Sequence, residues 1–235
     1  MLEVKNLQAG YDNLQVIWDV SLTVQKGEFV ALIGSNGAGK TTTLRAIAGV
    51  ICPKSGEVKF FDQSIFGLPT HLISRQGISF ITEELNLFEG MSVRDNLLLG
   101  AYNCPDHKKI HTALEQVFDL FPVLAERQKQ LGGTLSGGER RMLAIGRGLM
   151  SEPQMLMVDE PSLGLSPIMV ANVFNALKEL HHRGVTILLV EQNVNNTLLI
   201  ADKAYVLEQG SIVLQGKSSD LLHDAYLRQT YLGRR

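Results

Sequence analysis

Two hydrophobic rhythms alternate along this chain. Leu2 to Leu7 and Val16 to Val24 place apolar and polar residues in turn, the period of strands with one face in a core and one toward solvent. They predict an antiparallel sheet at the start of the chain. Four later stretches are predominantly apolar: Glu28 to Ile33, Gly77 to Ile81, Met155 to Val158 (ending in Asp159-Glu160) and Val185 to Val190. Short continuous runs predict strands buried on both faces, as in a parallel sheet. Gly56 to Phe61 predicts a further strand, and Ala204 to Leu207 with Ile212 to Gln215 a closing hairpin that turns at Gln209-Gly210. Helical spacing fills the gaps. It covers Thr42 to Ala48, Pro69 to Arg75, Val93 to Leu99 behind an N-capping Ser92, Ile110 to Leu120 with Pro122 as its stop, Arg140 to Met150, and Pro167 to Leu180. Asn193 or Asn195 caps one more helix, running through Ala201. Alternating strands and helices imply an α/β fold with helices on the faces of a parallel sheet. The expected organisation is a core of residues 1–82 and 151–235, which includes the antiparallel strands, with a helical lobe inserted over roughly residues 83–150.

Composition narrows the picture. At 235 residues the chain makes one large domain or two small lobes and can bury a substantial core. A charged fraction of 20% and a net charge of -2 give no bulk basic surface, so no nucleic-acid partner is expected. No apolar run has the length of a membrane span, and Met1-Leu-Glu-Val-Lys lacks the basic and apolar regions of a signal peptide, so a cytosolic chain is expected. Cys52 and Cys104 each precede a proline, have no metal-ligand spacing, and read as free thiols of a reducing compartment.

Candidate chemistry begins between the Glu28–Ile33 strand and the helix after it. Gly34-Ser35-Asn36-Gly37-Ala38-Gly39-Lys40-Thr41-Thr42 fits G-x-x-x-x-G-K-[ST]. Glycines let the backbone curl until its N–H groups face a triphosphate; Lys40 would neutralise the β/γ phosphates and the Thr41 hydroxyl would ligate Mg²⁺. The phosphates would rest on a helix N-terminus. Asp159 ends the Met155–Val158 strand, where it could hold the same Mg²⁺, and Glu160 could polarise a water for in-line attack on the γ-phosphate. Ser136-Gly137-Gly138, before the Arg140–Met150 helix, offers a hydroxyl, two glycines and a second helix N-terminus. Tyr11 falls in the connection between the first two strands, where its ring either stacks on a base or packs at a sheet edge.

The ordered set of Tyr11, GSNGAGKTT, LSGGE (Leu135 to Glu139), MLMVDEP (Met155 to Pro161) and a strand ending at Glu191-Gln192 resembles the ATP-binding subunit of an ABC transporter over essentially the whole chain. That resemblance implies a P-loop NTPase (RecA-like) core with an antiparallel β subdomain and an inserted α-helical subdomain. It implies adenine stacking by Tyr11 and a head-to-tail dimer of two ATPase subunits. Each ATP would lie between the Gly34–Thr42 loop of one subunit and Ser136, Gly137, Gly138 and Glu139 of the other. It further implies two transmembrane permease subunits, an indirect extracytoplasmic solute-binding protein, and attachment at the cytoplasmic face of the membrane.

Three positions depart from the usual pattern of that family: Glu83 where most members carry Gln, Ser162-Leu163-Gly164-Leu165 where the loop usually ends in Asp, and Gln192 where most carry His. PSLGLSP, LLVEQN and the closing Tyr231-Leu232-Gly233 resemble the branched-chain amino-acid, LivF-type subgroup. That subgroup usually reads Pro-Glu-Gly-Arg where this chain has Thr82-Glu83-Glu84-Leu85. It tends to carry Gln-Gln where this chain has Arg140-Arg141, a basic pair that resembles lipopolysaccharide-export ATPases. Gln192 cannot take up a proton but can still donate a hydrogen bond to a γ-phosphate oxygen, and an ionised Glu83 would draw Mg²⁺ more strongly than Gln. These departures point to pairing with a non-identical ATPase subunit. Leu87, Phe88 and Met91 either contact a membrane-subunit helix or pack within the lobe. Two other classes are a soluble ABC ATPase acting on DNA or ribosomes, which usually brings coiled-coil insertions or tandem domains, and a nucleotide-binding scaffold without turnover, against which Lys40, Asp159 and Glu160 argue.

Overall fold

A computed structural model describes residues 1–231. Leu232 and Gly233 of the closing Tyr-Leu-Gly lie outside the described residues; the Tyr231 hydroxyl donates to Glu208 Oε1 at 2.8 Å. The strands in chain order are β1 (Leu2–Tyr11), β2 (Leu14–Val24), β3 (Phe29–Ile33), β4 (Ser55–Phe60), β5 (Gln63–Ser64), β6 (Ile78–Ile81), β7 (Met155–Asp159), β8 (Thr186–Glu191), β9 (Lys203–Glu208) and β10 (Ser211–Lys217). The chain divides into two compact units, one of Met1–Gln76 with the chain from Thr186 onward, the other of Gly77–Val185.

In the first unit the strand order is β5-β4-β1-β2-β10-β9-β3-β8. β3 runs parallel to β8 and to β9, with Ile33 opposite Glu191 and Val206. β3 and β8 are buried at every position, as expected of their largely apolar runs; β8 also buries Thr186 and Glu191 at its ends. β1, β2 and β4 are antiparallel, and the alternation of β1 slips where its register with β2 shifts between Val4 and Leu7; Asn6 there has φ 47°. β1 runs four residues beyond the expected strand, so Tyr11 is not in the connection but pairs with Leu14 across a turn at Asp12-Asn13. The β9–β10 hairpin turns at Gln209 (φ 47°) and Gly210 (φ 80°), the left-handed pair that suits a two-residue hairpin.

In the second unit β6 and β7 are parallel, and helices make up most of the rest. The Gly137–Leu149 helix is the centre, with Leu143 and Ile145 fully buried. A Cβ at Gly100 would lie 2.0 Å from the Arg147 carbonyl oxygen, so the Val93–Gly100 helix ends against that helix at backbone distance. Ser92 caps Val93–Gly100 as expected, accepting from the Asp95 N–H at 3.1 Å. The next helix starts earlier than its apolar spacing suggests, at His107, because the Asp106 side chain accepts from the Lys108 and Lys109 N–H groups. Pro122 follows the end of that helix at Leu120 and also opens a short one, Pro122–Glu126, at the position where its missing N–H is harmless. Among the described residues no helix is long and apolar enough to cross a membrane, and Cys52 and Cys104 are free thiols.

Candidate functional site

In the first unit, the loop after β3 folds back on itself. A Cβ at Gly34 would sit 2.3 Å from the Leu207 carbonyl oxygen, which leaves room for hydrogen only. Gly37 and Gly39 have φ of 79° and 108°, values that L side chains rarely adopt. The loop is fastened by Ala38 N–H to the Ser35 carbonyl (3.2 Å) and by Gly210 N–H to the Ala38 carbonyl (2.9 Å). The Lys40 ammonium, buried, donates to the Gly34 and Ser35 carbonyls at 3.0 and 3.1 Å. Lys40–Ile47 is a helix whose N-cap, Gly39, has no side-chain cap, while Ser35, Asn36 and Gly37 are exposed. A glycine-rich turn, a helix N-terminus with no side-chain cap and an ammonium within one turn suit a polyphosphate, so these residues fit ATP. Thr41 is half-buried and Thr42 buried.

Two further residues of this unit join the loop. Tyr11 is partly exposed (38%), with its hydroxyl 3.5 Å from Arg45 Nη1 on the helix that the loop opens. Gln192 follows Glu191, which stands opposite Ile33, so Gln192 leaves β8 at the same end at which Gly34 leaves β3. The buried Glu191 carboxylate accepts from the Gln192 and Asn193 N–H groups (3.1 and 3.3 Å) and fixes that turn. Of the two candidate caps, Asn193 is the one used, accepting from the Asn196 N–H, and its helix ends at Leu198.

In the second unit, Ile81 stands opposite Val158, so Glu83 and the pair Asp159-Glu160 leave β6 and β7 at one end of the sheet. Asp159 and Glu160 are buried. Glu160 has φ 43°, a costly conformation for a residue with a side chain, and such strain concentrates at functional positions. Its carbonyl accepts from the Leu163 N–H at 3.2 Å, closing the turn that follows. Among the described residues no three His, Cys, Asp or Glu side chains form a metal cluster. A hydroxyl at Thr41 and carboxylates at Asp159 and Glu83 are the donor types that suit Mg²⁺, which takes few protein oxygens when phosphates supply others.

Ser136 opens the Gly137–Leu149 helix in a capping box: its hydroxyl accepts from the Glu139 N–H (3.4 Å), and Glu139 Oε2 accepts from the Ser136 N–H (2.8 Å). This extends the helix three residues ahead of its expected start at Arg140. Burial raises the Glu139 acid, but the two Ser136 contacts and Arg127, at 3.0 Å, outweigh it and hold the carboxyl below its ordinary value. Gly138 is buried, and a Cβ there would lie 2.0 Å from Met169 Cε. Ser136 and Gly137 are exposed.

Two residues organise this unit through contacts that the sequence motifs do not indicate. Asn96, fully buried, accepts from the Phe88 N–H and donates to the Phe88, Met91 and Ser92 carbonyls. Arg141 joins the Glu83 and Leu163 carbonyls. Of the three apolar candidates, Phe88 is exposed beneath the Arg147 guanidinium, 5.9 Å from its ring centroid, and Leu87 and Met91 are half-buried.

Comparison with known proteins follows the same lines. Residues 17–163 match the family described as ABC transporter. Over 233 residues, 99% of this chain and 100% of the relative, the chain is 43% identical to the high-affinity branched-chain amino acid transport ATP-binding protein BraG of Pseudomonas aeruginosa. It is 34% identical over 234 residues (99% and 97%) to the lipopolysaccharide export system ATP-binding protein LptB of Escherichia coli. The ADP conformation of MJ1267, an ATP-binding cassette of an ABC transporter, superposes with a TM-score of 0.85 at 27% identity, covering 99% of this chain and 98% of that one.

Proposed function

The chain belongs to the ABC transporter family as an ATP-binding subunit, and we propose that it energises import of branched-chain amino acids or a related small polar solute. The observation that carries the choice of solute is end-to-end similarity to BraG at 43% identity. The chemistry is assigned residue by residue. Backbone N–H groups of Gly34 to Thr42 and the Lys40 ammonium hold the phosphates, and Tyr11 stacks on the adenine. Thr41, Asp159 and Glu83 are the ligands offered to Mg²⁺, which offsets charge on the phosphate oxygens. Glu160 accepts the proton of the attacking water, and Gln192 donates to a γ-phosphate oxygen. Ser136, Gly137, Gly138 and Glu139 serve the nucleotide of a second ATPase subunit in a head-to-tail dimer. Because Glu83 and Gln192 depart from the common pattern, that partner is a non-identical subunit. Two permease subunits receive the motion through the segment of Leu87, Phe88 and Met91, which places the chain peripherally at the cytoplasmic face; a solute-binding protein acts from the other side.

A second reading, lipopolysaccharide export, is favoured by the Arg140-Arg141 pair and the similarity to LptB. The two separate in proteoliposomes built from this chain and the membrane proteins that co-purify with it. ATP-dependent accumulation of labelled leucine, isoleucine or valine supports import. Release of lipopolysaccharide to an acceptor, with no amino-acid uptake, supports export and overturns the proposal.

A further inference from the structure

Three arginines of the Gly137–Leu149 helix reach the segment after β6, and they are not equivalent. Arg140 Nη2 meets the Glu89 carboxylate at 2.6 Å on the surface. Arg147 donates to the Leu85 and Asn86 carbonyls at 2.8 and 2.7 Å. Arg141 spans two loops: Nη1 donates to the Glu83 carbonyl (3.2 Å) and Nη2 to the Leu163 carbonyl (3.0 Å), with only 6% of the residue exposed. Leu163 belongs to the turn that its own N–H closes onto the Glu160 carbonyl. The backbone on both sides of this link is strained, with φ of 62° at Leu85, 48° at Asn86 and 43° at Glu160. Strained conformations persist only when their surroundings hold them.

We infer that Arg141 is a positioning residue for hydrolysis, a buried fork that fixes the distance between the Glu83 strand end and the Glu160 turn. The inference rests on the proposed role of Glu160 and adds what holds that carboxylate in place. A guanidinium is suited to the task because its nitrogens diverge in a rigid plane, so one group serves two carbonyls at once. A lysine ammonium keeps the charge as a single point donor. An amide at this position brings both N–H bonds from one nitrogen and spans less. Without the fork the two loops drift independently, and sub-ångström errors in the base are felt in the chemical step rather than in nucleotide binding. Arg147 is the internal comparison. It grips the same segment from the same helix, through the Leu85 and Asn86 carbonyls rather than through the Leu163 carbonyl.

The test is steady-state ATP hydrolysis by the chain assembled with its membrane subunits. It compares wild type, Arg141→Ala, Arg141→Lys, Arg147→Ala and Glu160→Gln, with thermal unfolding of each. For Arg141→Ala, kcat should fall about tenfold or more with KM for ATP held within about twofold, and Arg141→Lys should recover part of the loss. Arg147→Ala should lower Tm without that split. If Arg141→Ala does not fold, Arg141→Lys carries the test through the same kcat loss at unchanged KM. Unchanged kcat in a folded Arg141 variant overturns the inference, as does an equal kcat loss in Arg147→Ala. If Glu160→Gln turns over at the wild-type rate, the failure lies in the proposed base itself, and the inference falls with it.

Discussion

At the residue scale, the glycine-rich turn proposed to hold the phosphates is legible in the sequence because its constraints are local. Gly34, Gly39, Lys40 and Thr41 are fixed by what lies within nine residues, and the turn they specify needs no distant partner to be recognised. What the sequence does not reveal is why Gly34 tolerates nothing larger. The obstacle is the Leu207 carbonyl oxygen, 2.3 Å from where a Cβ would sit and far along the chain. Backbone on that side cannot swing away as a side-chain tip can. Gly34→Ala should therefore displace the loop and weaken binding of a fluorescent ATP analogue by about tenfold or more, the scale of a 1–3 kcal/mol overpacking cost; affinity within twofold of wild type would contradict this geometry. The bonding roles of Arg141 and Asn96 were illegible for the same reason in reverse: their partners are backbone groups, and any residue type supplies those.

At the element scale, the β strands were the most readable features and the helix starts the least. β3 and β8 match their apolar runs to within a residue, because burial on both faces leaves no other pattern. The Gly137–Leu149 helix begins where two glycines argue against helix, and the capping box overrides that propensity. The extension of β1 from Leu7 to Tyr11 was hidden because the register shifts in β1 interrupt its alternation. The cap gives a prediction with a sign. Glu139 is held below its ordinary value of 4.5, so its contribution is complete above that pH and is lost as pH falls through the lowered value. Glu139→Gln should cost about 0.5–1 kcal/mol at pH 7, and urea titrations should show that difference shrinking as the pH falls below 4.5. A difference that persists undiminished in acid would assign the cost to something other than the carboxylate.

At the scale of the whole molecule, family membership was readable from motif order, since phosphate loop, signature and acid pair recur in one sequence along the chain. The solute class was indicated more faintly, by PSLGLSP and LLVEQN; end-to-end similarity to BraG points the same way, and amino-acid uptake tests it. The account depends on one chemical assignment, Glu160 as the group that takes the proton of the attacking water. It is measured directly as ATP turnover by the assembled transporter carrying Glu160→Gln, with ATP binding followed in the same preparation. The assignment predicts that turnover falls about a hundredfold or more while ATP binding is retained; turnover at or near the wild-type rate would contradict it.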